Sequence, residues 1–428
     1  MQYKTNRHNS IFTPKSPKGD FLGVLHKSPL GDLGVNRRKL FLLLNMRKIL
    51  VFIDWFLPGY KAGGPVRSMA NMVEHLNNDF GFYIVTRNTE YLETEPYTDV
   101  ISNQWNDFAP NVKVFYTGNN KKSLRLWRKL IRSVKPDVVY INGIYSPYFS
   151  ILPIRAAKLE KVDRIYVAPR GMLAASAIGV KSFRKKIFLA ITRLLRIYDN
   201  IEWHTTNEKE LRNVIETIGE LSSVRIADNF PRKAELSFIP IDKAPMKLRL
   251  CSFARIAPEK NTLFALQSLL SVSGKVSVEF DLYGQIYDAD YWQKCKNVIA
   301  QYSENIKVNY IGVINSDDVP GIINAYHALF LPSRGENFGH VILESFMAAR
   351  PVIISDQTPW RNLEEKQAGW DLPLIKTQFA KTIEQLAAMP QNEFNVLCQN
   401  ALSIANEAVN NERLISTYKN MFKSWEVY

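Results

Sequence analysis

Apolar and polar positions alternate along most of this chain in two interleaved periods. Short apolar runs predict strands at Lys48–Asp54, Gly81–Thr86, Val112–Tyr116, Asp137–Asn142, Arg164–Ala168, Ile201–Thr205 and Val224–Ile226. Between them, stretches with a 3.6-residue period predict helices near Val66–Asn77, Lys122–Val134, Ser150–Lys161, Ser182–Tyr198 and Asn207–Thr217. A charged stretch punctuated by Pro231, Pro240 and Pro245, Asn229–Lys247, reads as an inter-domain linker. The alternation then restarts with strands Leu248–Ala254, Val276–Tyr283 and Ile306–Ile311 and helices Thr262–Ser271, Ala289–Tyr302 and Val319–Ala325. Helices near Lys376–Ala388, Glu393–Val409 and Glu412–Trp425 close the chain. Strands alternating with helices imply parallel sheets covered on both faces, with ligands beyond the carboxyl ends of the strands.

The stretch 327–355, HALFLPSRGENFGHVILESFMAARPVIIS, concentrates the chemistry. It predicts a strand (Ala328–Leu331), a glycine-bearing loop (Pro332–Gly339), a helix (Val341–Ala349) and a second strand (Pro351–Ser355). The helix N-terminus behind the loop is a ready anion site, with the backbone amides of Asn337, Phe338 and Gly339 in front of it. Glu336 lies in the loop. Glu344 lies in the helix among Val341, Ile342, Leu343, Phe346 and Met347, where an unpaired carboxylate is costly to bury. It therefore reaches a polar ligand or pairs with a cation that the sequence does not reveal.

Two further loops follow predicted strands. Gly63–Gly64 and Pro65 lie between the first strand and its helix, where glycine permits close approach of backbone to a ligand and proline suits the first helical turn. The spacing is not GxGxxG, so no dinucleotide fingerprint is present. Arg255 and Lys260, in FARIAPEKN, stand where two cations converge on a diphosphate, or else are a solvated surface pair. Asp288 and Asp290 have the DxD spacing of a metal site but begin a predicted helix, where acids complement the dipole; capping is the better reading.

Composition narrows the picture. The 428 residues, 46% hydrophobic, suffice for two domains with full cores. Cys251, Cys295 and Cys398 are scattered without CxxC spacing, and six histidines show no metal-ligand pattern, which points to reduced thiols in the cytosol and no metal. The net charge of +14 would suit nucleic acid, but Met1–Asn45 carry eight cations against two acids, and no nucleic-acid motif is present. Those 45 residues contain an imperfect repeat, SPKGDFLGVL and SPLGDLGV; they read as disordered or as a spurious extension before a start at Met46. No run of apolar residues is long enough to span a membrane. The segment KSFRKKIFLAITRLLR, residues 181–196, is basic and amphipathic, with Phe183, Ile187, Ile191, Leu194 and Leu195 on one stripe. It reads either as a sheet-covering helix with a solvated basic face or as one lying on an anionic membrane.

Taken together, AGGPVRS, APRGML (Ala168–Leu173), FARIAPEKN and the pair Glu336/Glu344 resemble the retaining GT-B glycosyltransferases of family 4, from about Met46 to the C-terminus. The resemblance implies two Rossmann-like domains facing across a cleft, here 46–235 on the acceptor side and 236–410 on the nucleotide-sugar side. A C-terminal helix, 411–428, would cross back to the first domain. It implies sugar transfer from a nucleotide diphosphate donor, UDP- or GDP-linked, to a glycan or lipid-linked acceptor, with no cofactor and no metal. Arg255 and Lys260 then resemble the clamp on the departing diphosphate, Glu336 the acid that orients the donor sugar, and Glu344 the acid that binds the ribose. Gly64, Asn337, Phe338 and Gly339 would line the donor phosphates and sugar, and Gly284 and Val313 the base. On the acceptor side stand Asn142, Tyr145, Arg170 and His204. Asn142 occupies the place where many relatives carry a histidine, and asparagine cannot titrate as a base. A nucleotide-sugar 2-epimerase of the same fold is the alternative enzyme. The family suggests surface polysaccharide synthesis in the cytoplasm, at the inner face of the membrane.

Overall fold

The computed structural model describes residues 46–174, 182–219, 221 and 223–423; the predicted disorder of residues 1–45 lies outside them. Eight strands form the first sheet: β1 (Lys48–Ile53), β2 (Gly81–Arg87), β3 (Trp105–Ala109), β4 (Val112–Thr117), β5 (Val138–Asn142), β6 (Arg164–Ala168), β7 (Glu202–Thr205) and β8 (Ser223–Ile226). Their spatial order is β3-β4-β2-β1-β5-β6-β7-β8. All neighbours pair parallel except β3 with β4. Six strands form the second sheet: β9 (Lys247–Phe253), β10 (Ser277–Tyr283), β11 (Ile306–Gly312), β12 (Ala328–Leu331), β13 (Val352–Ser355) and β14 (Gly369–Leu372). They pair parallel in the order β11-β10-β9-β12-β13-β14.

The near-continuous apolar runs of the central strands follow from burial on both faces. In β1, Ile49, Val51 and Ile53 pack against Met69, Met72 and Leu76 of the helix Gly64–Leu76, while Leu50 and Phe52 pack on the other face with Trp127, Leu130 and Ile131. In the second sheet, Leu248 and Leu250 face the helices Thr262–Leu269 and Lys376–Ala388. Leu329 and Leu331 face the opposite way, toward the helices His340–Met347 and Gln391–Val409.

Two strands escape the hydrophobic pattern. β3 (WNDFA) is a half-exposed antiparallel edge with polar residues at its centre, and β14 (GWDL) is four residues long. The proline-rich stretch Asn229–Lys247 has no regular structure before β9, yet it is anchored: Asn71 Nδ2 donates to Phe230 O at 2.9 Å and Lys243 Nζ to Ala387 O at 2.9 Å. The last helix, Glu412–Phe422, packs in the core of the first sheet through Tyr418, Met421 and Phe422. Its final carbonyls are taken by that sheet, Met421 O by Tyr166 OH at 2.9 Å and Phe422 O by Arg47 Nη1 at 3.2 Å. No helix among the described residues is long and apolar enough to cross a membrane.

Phe422 is fully buried, so Phe422→Ala should remove about 3–5 kcal/mol from the unfolding transition of the first sheet in urea. A loss under about 1 kcal/mol would show that the terminal helix does not belong to that core.

Candidate active site

The candidate residues cluster because their loops leave the carboxyl ends of neighbouring strands. Arg255 and Lys260 follow β9, Gly284 follows β10, Val313 follows β11 and Glu336–Gly339 follow β12. In the first sheet, Gly64 follows β1, Asn142 ends β5, Tyr145 follows it and Arg170 follows β6.

The β12 loop is held in place by its neighbours. Asn261 Nδ2 donates to Pro332 O at 3.1 Å, Arg334 N to Glu259 O at 2.9 Å and Glu336 N to Gln357 O at 3.2 Å. Gly339 precedes the helix His340–Met347 with φ +78°, and a Cβ there would stand 2.8 Å from Ile342 Cδ1, so only glycine makes this turn cleanly. Lys260 Nζ donates to Glu336 Oε1 at 2.7 Å, which joins the β9 and β12 loops through a charge-assisted bond. Arg255 lies with its guanidinium 5.5 Å above the Tyr287 ring and 3.4 Å from Glu259. Burial and a hydrogen bond with Tyr287 push the Tyr91 phenol, from the loop after β2, up to about 12.

Glu344 finds its cations in other parts of the chain. Its carboxylate, 6% exposed, lies 3.9 Å from Arg67 Nε on the helix Gly64–Leu76. Asp317 Oδ1 accepts from Arg232 Nη2 at 2.8 Å and from Arg67 Nη1 at 3.4 Å. Burial pushes the Glu344 carboxyl up to about 7; the Arg232 charge opposes that shift and Asp317 adds to it. One turn away, Ser68 Oγ meets His340 Nε2 at 2.8 Å, and burial with the Arg170 and Arg232 charges holds that imidazole down at about 3, hence neutral. These contacts bring the N-terminus of the helix Gly64–Leu76 against that of His340–Met347, so two positive dipole ends converge. A Cβ on Gly63 or Gly64 would meet no atom within 4 Å, so the backbone there is open to a ligand.

The loops after β6 and β7 meet Asn337. Asn207 Nδ2 donates to Asn337 O at 3.2 Å, and Thr206 Oγ1 lies 3.1 Å from Asn337 Oδ1. Gly171, at φ +74°, passes so close that a Cβ would stand 3.1 Å from Asn337 Cβ. Buried Glu210 ties the two first-sheet loops together by accepting from Gly171 N and, at 2.7 Å, from Thr206 N.

The acceptor-side residues are distributed unevenly. Arg170, 9% exposed, donates to Asn142 Oδ1 at 2.8 Å, to Tyr140 OH at 2.7 Å and to Asn229 Oδ1 at 2.5 Å. His204 is interior and does not face the cleft. Its Nε2 lies 2.8 Å from Ala227 O and its Nδ1 2.5 Å from Tyr140 OH, and burial with the Arg170 charge lowers its pKa to about 3. That environment removes His204 from the acceptor-side candidates: the ring is a neutral bridge between strands. The Tyr145 ring packs 5.4 Å from Phe188. Gly284, at φ +139°, sits where a Cβ would collide with Ala254 O, and Val313 is 43% exposed. Asp288 caps its helix by accepting from Tyr291 N at 2.9 Å. No cluster of metal-ligating residues occurs among the described residues.

Residues 235–392 match the family model described as glycosyl transferases group 1. Over that span the chain is similar to the group 1 glycosyltransferases. No curated protein matches the sequence. Solved structures similar to this chain include sucrose-phosphate synthase from Thermosynechococcus elongatus, 14% identical with a TM-score of 0.67 over 88% of this chain and 98% of that one. Another is Anabaena HepE, solved with UDP-glucose, 13% identical with a TM-score of 0.61 over 87% and 99% of the two chains. A third is WaaG, a glycosyltransferase involved in lipopolysaccharide biosynthesis, 11% identical with a TM-score of 0.57 over 88% and 98%. At such identities the likeness shows the fold, GT-B, across both sheets.

Arg67, Arg232, Asp317, Tyr91, Tyr287 and Glu210 escape sequence reasoning. Only Arg67 carried a signal, three residues past Gly64 in AGGPVRS and one turn into a helix that starts at the cleft.

Because the folded carboxyl of Glu344 titrates near 7 rather than near 4.5, the folded state holds an extra proton between those values. Stability from this group therefore falls as pH rises through that window and is lowest above it. Without nucleotide, Glu344→Gln should gain Tm relative to the parent as pH rises from about 5 to about 8. A difference in Tm that stays constant with pH would show that Glu344 is ionised throughout.

Proposed function

We propose that this transferase moves a sugar, with retention of anomeric configuration, from a UDP-linked donor to a glycan or lipid-linked acceptor in surface polysaccharide synthesis. One observation carries the donor site: two helix N-termini, the open Gly63–Gly64 backbone and the cations Arg255 and Lys260 all follow carboxyl ends of strands, those of β1, β9 and β12 in the two sheets. A diphosphate is the anion that such an arrangement suits. Anabaena HepE, which shares the fold, was solved with UDP and with UDP-glucose, which favours uridine among the donor bases. WaaG acts in lipopolysaccharide biosynthesis, which favours a cell-surface glycan as product. The three free, buried cysteines suit the reducing cytoplasm, and with it the inner face of the membrane.

Each residue then has a role set by its position. Arg255 and Lys260 neutralise the charge that builds on the departing diphosphate. Glu336, 2.7 Å from the Lys260 ammonium, accepts hydrogen bonds from donor sugar hydroxyls. The amides of Asn337, Phe338 and Gly339 contact the sugar and phosphates. Glu344 accepts from the ribose hydroxyls. Gly284 and Val313 border the base. Asn142, Arg170 and Tyr145 shape the acceptor side.

The reaction breaks the bond between the anomeric carbon and the diphosphate oxygen and forms the new glycosidic bond on the same face. The acceptor proton passes to the departing phosphate. No base in the first domain is needed, which accords with Asn142 in place of histidine and with the interior position of His204.

Lys260→Ala and Glu344→Ala should each weaken UDP binding about 10- to 100-fold by calorimetry, as expected for a lost bond to a charged group. Glu336→Ala should lower kcat with little change in UDP affinity. A thermal-shift comparison of UDP, GDP and ADP names the donor class, with the largest shift expected for UDP. Unchanged UDP affinity in both of the first two variants would remove the donor site from this cleft.

A further inference from the structure

The helix Ser182–Leu194 turns its apolar stripe outward. Leu194 is 81% exposed and Phe183 75%, the highest values for large apolar side chains among the described residues. Ile187, Ile191 and Leu195, the last just beyond the helix, are 44–62% exposed. Phe183, Ile187, Ile191 and Leu194 recur at helical spacing on one face. The opposite face makes the contacts with the protein: Phe188 lies 5.4 Å from the Tyr145 ring, the Lys185 ammonium 5.3 Å above that ring, and Thr192 is buried. The outward face therefore corrects the reading of a helix whose apolar side covers the sheet. A stripe of this size, left uncovered by the described residues, is unusual for a helix that needs no partner.

Charge selects the occupant. The helix contains no aspartate or glutamate. Lys186 and Arg193 are exposed along one border of the stripe, and Arg196 follows, 82% exposed and ion-paired with Asp199 at 2.5 Å. A second copy docked on this stripe would bring the two basic borders together, which is unfavourable. A layer of anionic headgroups would neutralise the border while the apolar side chains enter the acyl boundary. The stripe runs along one face of a single helix, which suits a planar layer.

Its location gives this surface a use. Tyr145, which the helix covers, lies three residues after Asn142, in the loop that leaves β5 on the acceptor side. We infer that the face formed by Phe183, Ile187, Ile191 and Leu194 with Lys186 and Arg193 docks on an anionic bilayer, placing the acceptor side of the cleft next to lipid-anchored glycans. The docking rests on the outward stripe; its bearing on the acceptor rests on the proposed transferase reaction.

The test is sedimentation of the full chain with vesicles of phosphatidylglycerol and phosphatidylcholine, and with phosphatidylcholine alone. The chain should bind the anionic vesicles at least about tenfold better, with binding that weakens as salt rises. Ile187→Glu and Leu194→Glu, both on exposed positions, should each reduce that binding about tenfold or more while leaving the thermal shift with UDP unchanged. Lys186→Gln with Arg193→Gln should remove the preference for anionic lipid. Equal binding to both vesicles, or variants that bind as the parent does, would overturn the inference. So would sedimentation-velocity evidence of a dimer that Leu194→Glu dissociates. Loss of the UDP shift in the unaltered chain would count against the donor site and leave the docking result standing.

Discussion

A carboxylate that has almost no water around it organises this molecule. Glu344 sits in a helix packed on both the β12–β13 core and the opposite half of the protein, and Arg67 approaches it from there at 3.9 Å. Asp317 holds Arg67 and Arg232 in place by accepting from both. Without the guanidinium beside it the buried Glu344 carboxylate would be costlier still to ionise. Burial pushes the Glu344 carboxyl up to about 7 against the pull of the Arg232 charge. Ribose hydroxyls that donate to this group would replace part of the stabilisation that the arginines supply in the free protein.

The rest of the cleft follows from that approach. With Arg67 drawn to Glu344, the first turns of two helices meet, Ser68 reaches His340, and Gly63–Gly64 stay uncovered. On the other side of the β12 loop, Asn337 touches Thr206, Asn207 and Gly171, which Glu210 gathers into one support. The Lys260–Glu336 pair joins the β9 and β12 loops. The second sheet supplies Arg255 and Lys260, the first sheet supplies Arg67 and the opposing wall, and the terminal helix Glu412–Phe422 packs in the core of the first sheet.

Individual residues show how far sequence pattern reaches. The parallel sheets were legible because strands buried on both faces are apolar almost throughout, as in β1 (KILVFI) and β12 (ALFL). β3 was not, because an edge strand with one solvated face can be half polar, and β14 was not, because four residues with a glycine carry too little pattern. Among site residues, Glu344 stood out as an acid in an apolar helix, and Lys260 and Glu336 as charges just past strands. His204 stood out equally, yet its ring is sealed between Tyr140 and Ala227. A histidine at a strand end looks the same in sequence whether its side chain faces the cleft or the core.

The stretch 327–355 by itself determined a strand, a loop, a helix and a second strand, and it determined that Glu344 needed a partner. Local period and the cost of burying charge are properties of neighbouring residues, so they are present in the order of the amino acids. Only the tertiary structure decided which partner: Arg67 is 277 positions away in the numbering and Arg232 is 112. It likewise decided that the stripe of Phe183, Ile187, Ile191 and Leu194 faces out, because an amphipathic period fixes that a helix has two faces but not which face meets the sheet. Distances between loops on different strands depend on how the sheets pack, and no local pattern encodes them.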